Sequence, residues 1–244
     1  MTPAVIIPTY NERENIALLI GELHTFVPNL TVIVVDDNSP DGTGQLVNDL
    51  AARDARVQPL HRPAKLGLGT AHIAGMKKAL TQSFEPILTM DADFSHAPRY
   101  VPDMIRAAAN YDVVIGSRYV RGGGTLHCTL PRRALSRGAN LFARTVLGLE
   151  GGDTTAGFRA YRRAVLESIP LDRIVSNGYS FLIEMLYLCE QRGWRVGKVP
   201  IVFENRQRGS SKISRQEIVK ALGTVIRLRS EKGRLRAPLP QSNS

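Results

Sequence analysis

The sequence predicts an α/β fold in which a largely parallel central sheet carries helices on both faces. Three observations predict it. Short apolar, β-branched runs alternate with amphipathic stretches over residues 4–116, the βαβα rhythm of a parallel sheet. The run Thr31–Val35 is apolar or β-branched throughout, as a strand covered on both faces must be. Three strand-like runs end in Asp36-Asp37, Asp91-Ala92-Asp93 and Gly116-Ser117-Arg118. Open parallel sheets bind ligands beyond the carboxyl ends of their strands, so these three ends mark a site.

Ala4–Ile7 reads as the first strand, stopped by Pro8. Asn11 with Glu14 three residues later resembles a capping box, and Ile16, Leu19, Ile20 and Leu23 then share one helical face. Thr31–Val35 is the second strand, followed by the turn residues Asn38 to Gly42. A helix turns Leu46, Val47 and Leu50 inward; Val57–His61 is a weaker strand. Gly69–Leu80 reads as helix, Pro86–Met90 as strand, Val101–Ala109 as helix and Asp112–Gly116 as strand.

The pattern changes at Gly122-Gly123-Gly124, a loop before a basic amphipathic helix over about Arg132–Leu147. Asp153–Tyr161 runs from loop into strand. Ser180–Arg192 is helical, with Phe181, Met185, Leu188 and Cys189 on one side and Gly193 as its stop. Trp194–Phe203 is mostly strand, and Ile213–Arg229 is a second basic amphipathic helix. Residues 1–230 read as one domain and 231–244 as a basic, disordered tail. There is no internal repeat.

Composition narrows the function. Net charge is +10, which suits nucleic acid, an anionic membrane or phosphorylated small molecules. Aromatic residues make up only 6% and no nucleic-acid motif occurs, which counts against the first. The two cysteines, Cys128 and Cys189, exclude a disulfide scaffold and a four-cysteine zinc site. No basic leader precedes Ala4, and no apolar run approaches the roughly 20 residues a membrane helix needs. The most apolar segment, Phe181–Cys189, is interrupted by Glu184.

Asp91 and Asp93, one residue apart at a strand end, offer hard oxygens suited to Mg²⁺ or Mn²⁺; a solvated turn would use the same residues. Asp37 suits a ribose or nucleobase, or else a turn satisfying its own backbone donors. No Gly-x-Gly-x-x-Gly follows the first strand and no phosphate-loop motif occurs, which disfavours a dinucleotide site. Arg118, Arg132 and Arg133 present planar forks matched to phosphate, and Arg206 to Lys212 form a second cationic stretch. The five histidines show no metal-ligand spacing, and no nucleophile elbow is present. The segment Ser214–Arg236 lines Ile218, Leu222, Val225 and Ile226 on one face; it fits a helix lying on anionic lipid and equally a helix packed on the core.

Taken in order, these motifs resemble a known family. They are Val5-Ile6-Ile7-Pro8-Thr9-Tyr10-Asn11-Glu12, Val34-Val35-Asp36-Asp37 through Thr43, Met90-Asp91-Ala92-Asp93-Phe94-Ser95-His96, and Gly116-Ser117-Arg118-Tyr119. Arg132-Arg133 through Asn140, Asp153-Thr154-Thr155-Ala156-Gly157-Phe158-Arg159 and Arg206 through Lys212 follow. The sequence is similar, from about residue 4 to 230, to the dolichol-phosphate (polyprenol-phosphate) mannosyltransferases of glycosyltransferase family 2. That resemblance implies a GT-A nucleotide-diphospho-sugar transferase fold, GDP-mannose as donor and a polyprenyl (dolichyl) phosphate lipid as acceptor. It implies that Pro8, Tyr10, Glu12, Val35 and Asp37 hold the nucleoside. Asp91, Ala92 and Asp93 would meet the diphosphate and a Mg²⁺ or Mn²⁺ ion, with Asp93 the principal ligand, Asp91 beside it and Ser95 assisting. Arg206 and Lys212 would contact donor phosphates, while Arg118, Arg132, Arg133 and Ser136 would hold the acceptor phosphate. Asp91, Asp93 and Arg118 would carry the catalysis.

The resemblance further implies a single displacement with inversion by a protein peripheral to the cytoplasmic face of a membrane. Its anchor would be its own amphipathic helices or a separate membrane subunit. A UDP-glucose-dependent relative of the same chemistry, a nucleic-acid-binding module and a non-catalytic scaffold are the competing readings.

Overall fold

The structure, a computed structural model, describes residues 2–204 and 215–231; the side chains of Pro131, Arg132 and residues 215–219 lie outside the description. The elements in chain order are β1 (Thr2–Thr9), α1 (Arg13–Phe26), β2 (Thr31–Asp36), α2 (Thr43–Ala51), β3 (Val57–His61), α3 (Leu68–Leu80) and β4 (Phe84–Thr89). Then come α4 (Val101–Ala107), β5 (Val113–Ser117), β6 (Gly124–Leu126), α5 (Leu130–Leu147), β7 (Arg159–Tyr161) and α6 (Arg163–Ser168). The chain continues through α7 (Tyr179–Gln191), β8 (Val196–Pro200), β9 (Val202–Glu204) and α8 (Arg215–Ser230).

Seven strands form the main sheet in the order β3-β2-β1-β4-β7-β5-β8. All neighbours are parallel except that β7 runs antiparallel between β4 and β5. A two-stranded parallel sheet of β6 and β9 sits beside it. Both faces are covered, as the apolar strand runs require. Val5, Ile7, Val32 and Val34 pack with Ile16, Leu19 and Leu23 of α1 on one side. Ala4, Ile6, Ile33 and Val35 pack with Ala71 and Met76 of α3 and with Phe181 and Met185 of α7 on the other. A third cluster joins Ala143 and Leu147 of α5, Ile183 and Tyr187 of α7, and Val225 and Leu228 of α8.

Several boundaries differ from the sequence expectation. Pro8 does not stop β1; it pairs with Val35 of β2. Strand alternation turns its nitrogen to the same side as the Ile6 carbonyl, where the ladder to β4 closes with Met90 N–H donating to Ile6 O. The missing N–H therefore lies just past the last bond it would have owed. Asn11 is not a helix cap: it adopts a left-handed φ of 61° and Glu12 precedes the first helical residue. The donors there are met from a distant loop instead, with Arg13 N–H donating to Asp41 Oδ2 at 3.1 Å and Glu12 N–H to Thr43 Oγ1 at 3.0 Å. The expected strand Trp194–Phe203 divides into β8 and β9, which belong to different sheets. Gly193 follows α7 with φ 77°, the left-handed stop expected of it.

Candidate functional site

The carboxyl ends of β1, β2, β4 and β5 open onto a cavity of about 470 Å³. Asp37, Asp91 and Arg118, one from each of the three motif-bearing strand ends, all line it. Pro8, Tyr10, Glu12, Ala92, Arg133 and Ser136 line it as well. Val35 does not: it is fully buried between Ile6 and α3. Asp93 and Ser95 are not among the lining residues; Asp93 is half-buried and Ser95 buried. Arg132's side chain and all of Arg206 to Lys212 lie outside the described residues.

The two carboxylates after β2 divide their work. Asp36 turns inward and accepts the Thr9 hydroxyl at 3.0 Å and the Ser39 N–H at 3.0 Å. Asp37 faces the cavity while its Oδ2 accepts the N–H groups of Leu66 and Gly67 at 3.1 and 3.2 Å, and Arg62 pairs with its Oδ1 at 3.0 Å. Asp37 thereby fixes the loop that brings Lys65 over the Tyr10 ring, Nζ 3.9 Å from the centroid.

The turn after β4 holds Asp91 to His96. Ser95 N–H donates to Asp93 Oδ1 at 3.1 Å, and Asp91 N–H donates to His96 Nδ1 at 3.2 Å. Among the described residues no three His, Cys, Asp or Glu side chains gather to hold an ion unaided. Two carboxylates and a hydroxyl nonetheless fit a hard cation of the Mg²⁺ class, which takes one or two carboxylates and draws the rest from water and phosphate. The Ser95 hydroxyl is buried without a hydrogen-bond partner among the described residues, a cost that an incoming ligand would relieve.

Basic groups line the same cavity. Arg118 is committed further than its sequence context suggested. Its Nε and Nη2 donate to the two oxygens of Asp153 at 2.8 and 2.7 Å, and its backbone N–H reaches Asp153 Oδ2 at 3.2 Å. Nη2 also meets Thr155 Oγ1 at 2.9 Å. Burial works against the guanidinium's charge, but the Asp153 bonds and charge outweigh it and raise its pKa above the ordinary range. Beside it, Ser136 of α5 shares a 2.7 Å hydrogen bond with the Tyr119 hydroxyl.

The loop carrying Asp153 is pinned from three directions. Glu190 of α7 accepts the N–H groups of Glu150 and Gly151 at 2.9 and 2.8 Å. Asn140 of α5 donates to Gly152 O and accepts Thr154 N–H at 2.8 Å. Arg159, fully buried, donates to the carbonyls of Thr154, Ala156 and Leu182 at 2.8 to 2.9 Å. Asp153, Asn140 and Arg159 belong to the motifs quoted from the sequence, but residue type alone gave them no role. No local signal marked Asp153, whose partner Arg118 lies 35 positions away.

The remaining wall is apolar, with Leu135, Phe142, Leu222 and Val225 from α5 and α8. Outside it, Leu130, Leu141 and Ile226 are 77%, 63% and 64% exposed. The exposed cations Arg137, Lys220 and Arg229 stand on the same two helices. α8 packs on the core through Val225 and Leu228, which are buried, while Leu222 borders the cavity and Ile226 faces out. Glu184, the charge inside the most apolar helix, is buried and accepts Arg227 of α8 at 2.8 Å and Ser176 N–H at 3.1 Å. No described helix is long and apolar enough to cross a membrane.

Comparison with known proteins places the chain among glycosyltransferases. The family model described as Glycosyl transferase family 2 matches residues 4–169. Polyprenol monophosphomannose synthase of Mycolicibacterium smegmatis is 45% identical over 223 residues, 91% of this chain and 84% of that protein. Undecaprenyl-phosphate mannosyltransferase of Micrococcus luteus is 43% identical over 227 residues, covering 93% of each. Among solved structures, glucosyl-3-phosphoglycerate synthase from Mycobacterium tuberculosis with Mn²⁺ and UDP-glucose aligns with a TM-score of 0.64 at 19% identity, over 99% of this chain and 80% of that one. A mannosyltransferase from Pyrobaculum calidifontis with GDP-Man and Mn²⁺ aligns at 0.51 and 17%, over 97% and 73%. At such identities these two structures speak to the fold.

Proposed function

This chain belongs to glycosyl transferase family 2 and has the GT-A fold, and from that premise we propose that it transfers mannose from GDP-mannose to a polyprenyl phosphate with inversion. The two curated relatives, named for mannose transfer to polyprenyl phosphates, support the sugar and the acceptor class. The observation that carries the reading is a single cavity lined by the carboxylates Glu12, Asp37 and Asp91, by the cations Lys65, Arg118 and Arg133, and by apolar side chains of α5 and α8.

The chemistry asks two anions to meet. A phosphate monoester, with a second pKa of about 6, is largely a dianion at neutral pH and attacks without a general base. Its oxygen forms the new bond to the anomeric carbon from the face opposite the diphosphate, whose bond breaks as GDP leaves. Arg118 and Arg133 hold the attacking phosphate against charge repulsion. Tyr10, Glu12 and Asp37 orient the nucleoside. Asp91 and Asp93, with Ser95, would hold a divalent cation, and that ion when bound neutralises charge on the departing diphosphate. Arg132, Arg206 and Lys212 remain candidates for phosphate contacts.

The face bearing Leu130, Leu141 and Ile226 among Arg137, Lys220 and Arg229 suits an anionic bilayer surface, where apolar side chains enter and basic ones stay at the headgroups. It borders the cavity, so a lipid phosphate would reach Arg133 without leaving the membrane. Peripheral attachment at a cytoplasmic leaflet follows from this reading, alone or with a membrane subunit.

Transfer of radiolabelled mannose from GDP-mannose into polyprenyl phosphate, with Mg²⁺ or Mn²⁺ and UDP-glucose as control, tests the assignment. Label from GDP-mannose alone is the expected result. Label from UDP-glucose alone would overturn the mannose donor and keep the reaction.

A further inference from the structure

We propose that His96 is a positioning residue for the Asp91 carboxylate. Its ring fixes the Asp91 peptide and so sets where the Asp91 carboxylate stands in the cavity wall, to meet the donor diphosphate and its cation, an inference that rests on the transferase reading above. His96 borders the cavity yet is only 2% exposed. Its ring stacks on Phe158 at 5.4 Å and 26° and meets the Phe203 ring edge-on at 5.6 Å and 69°. Two aromatic neighbours leave it no room to turn.

The hydrogen bond assigns the tautomer. Asp91 N–H donates to Nδ1 at 3.2 Å, so Nδ1 presents a lone pair and Nε2 carries the proton. That same Nδ1 lies 3.8 Å from Asp91 Oδ2, beyond hydrogen-bond range.

The turn needs such a clamp. Phe94 holds a left-handed φ of 61°, which is unfavourable for a residue with a Cβ and persists only where the surroundings impose it. β9 supplies the other hold, with Glu204 N–H donating to Ser95 O at 3.3 Å. The five residues from Asp91 to Ser95 are thus gripped at both ends, by His96 and by β9.

Three replacements separate positioning from plain packing. Asn places its side-chain oxygen near the site of Nδ1 and can keep the Asp91 bond. Gln extends one bond further and loses it while keeping bulk and polarity. Leu loses the bond and fills the space. Mn²⁺ binding in the presence of GDP, followed by the spin-resonance signal of free Mn²⁺, is the primary readout, with thermal melting beside it. His96→Gln and His96→Leu should weaken Mn²⁺ binding about 10–100-fold, the usual effect of losing an outer hydrogen bond to a metal site. His96→Asn should bind as the unmodified protein does. The KM for donor should rise in the Gln and Leu variants while the KM for lipid acceptor holds. His96→Gln keeps the test decisive where His96→Leu fails to fold. Mn²⁺ binding unchanged in Gln and Leu, or lost equally in Asn, overturns the proposal. Absence of Mn²⁺ binding by the unmodified protein overturns the cation reading itself, and this inference with it.

Discussion

Replacing Asp153 with Leu strands a buried cation, and the cost can be worked from the geometry. Asp153 is fully buried and Arg118's side chain is 14% exposed, so neither charge has water to fall back on. Removing one member of such a pair typically costs about 3–5 kcal/mol, most of it the penalty of the charge left behind. Against a total stability on the order of 5–15 kcal/mol, that is a large loss. Asp153→Leu with Arg118→Met removes both charges and should recover most of it. A remainder of about 1–3 kcal/mol should persist, because the Arg118 backbone N–H also donates to Asp153 and loses its acceptor in both variants. Urea unfolding of the two single variants and the double variant measures the cycle, and mannosyl transfer measures function alongside. The double variant should fold well and transfer little, since the guanidinium proposed to meet the acceptor phosphate is gone. A double variant no more stable than Asp153→Leu would refute the argument, because the loss would then not come from an unpaired charge.

Other outcomes follow from the same structure. Asp93→Asn should abolish transfer with the melting temperature unchanged; retained turnover with added Mg²⁺ or Mn²⁺ would remove its ligand role. Leu141→Asp with Ile226→Asp should release the protein from anionic vesicles in a flotation assay without changing its stability, since both side chains are exposed. His72 is buried flat against Phe181 at 5.6 Å with neither ring nitrogen partnered among the described residues. Burial first, then Arg159 and His96, lower its pKa to about 3. Below about 6.5 the unfolded chain therefore binds a proton that the folded chain refuses. Stability should fall as pH drops from about 6.5 toward 3, with a slope up to about 1.4 kcal/mol per pH unit, and His72→Phe should flatten that slope in pH-dependent denaturation.

The sheet was legible because its strands are buried on both faces. A run such as Thr31–Val35 has no alternation to misread, and every one of its residues is buried. The three strand ends were legible because Asp and Arg have no packing reason to follow such runs. What stayed hidden was set by partners far away in sequence. Asn11 and Glu14 satisfy the local rule for a capping box, yet Asp41 and Thr43 supply the bonds, and no local window contains them. The three-residue β7 carries too little pattern to announce that it inserts antiparallel between β4 and β5. Asp93 and Arg118 were found as residues but not as environments: one holds the Ser95 N–H and is not among the residues lining the cavity, and the other is engaged by a carboxylate 35 positions away.

Glu184 shows how the apolar wall and the core became one problem. A carboxylate inside the apolar helix α7 is unfavourable unless paired, and its partner Arg227 comes from α8. The pair selects one rotation of α8, the one that sends Val225 and Leu228 into contact with Ile183 and Tyr187, sets Leu222 at the cavity and leaves Ile226 outside. Removing α8 would therefore uncover the third core cluster and leave Glu184 buried without its cation. A truncated chain that failed to bind vesicles would report only that it had lost its fold. Only substitutions on the outer face, at positions such as Ile226, separate attachment to a membrane from the integrity of the wall that shapes the cavity.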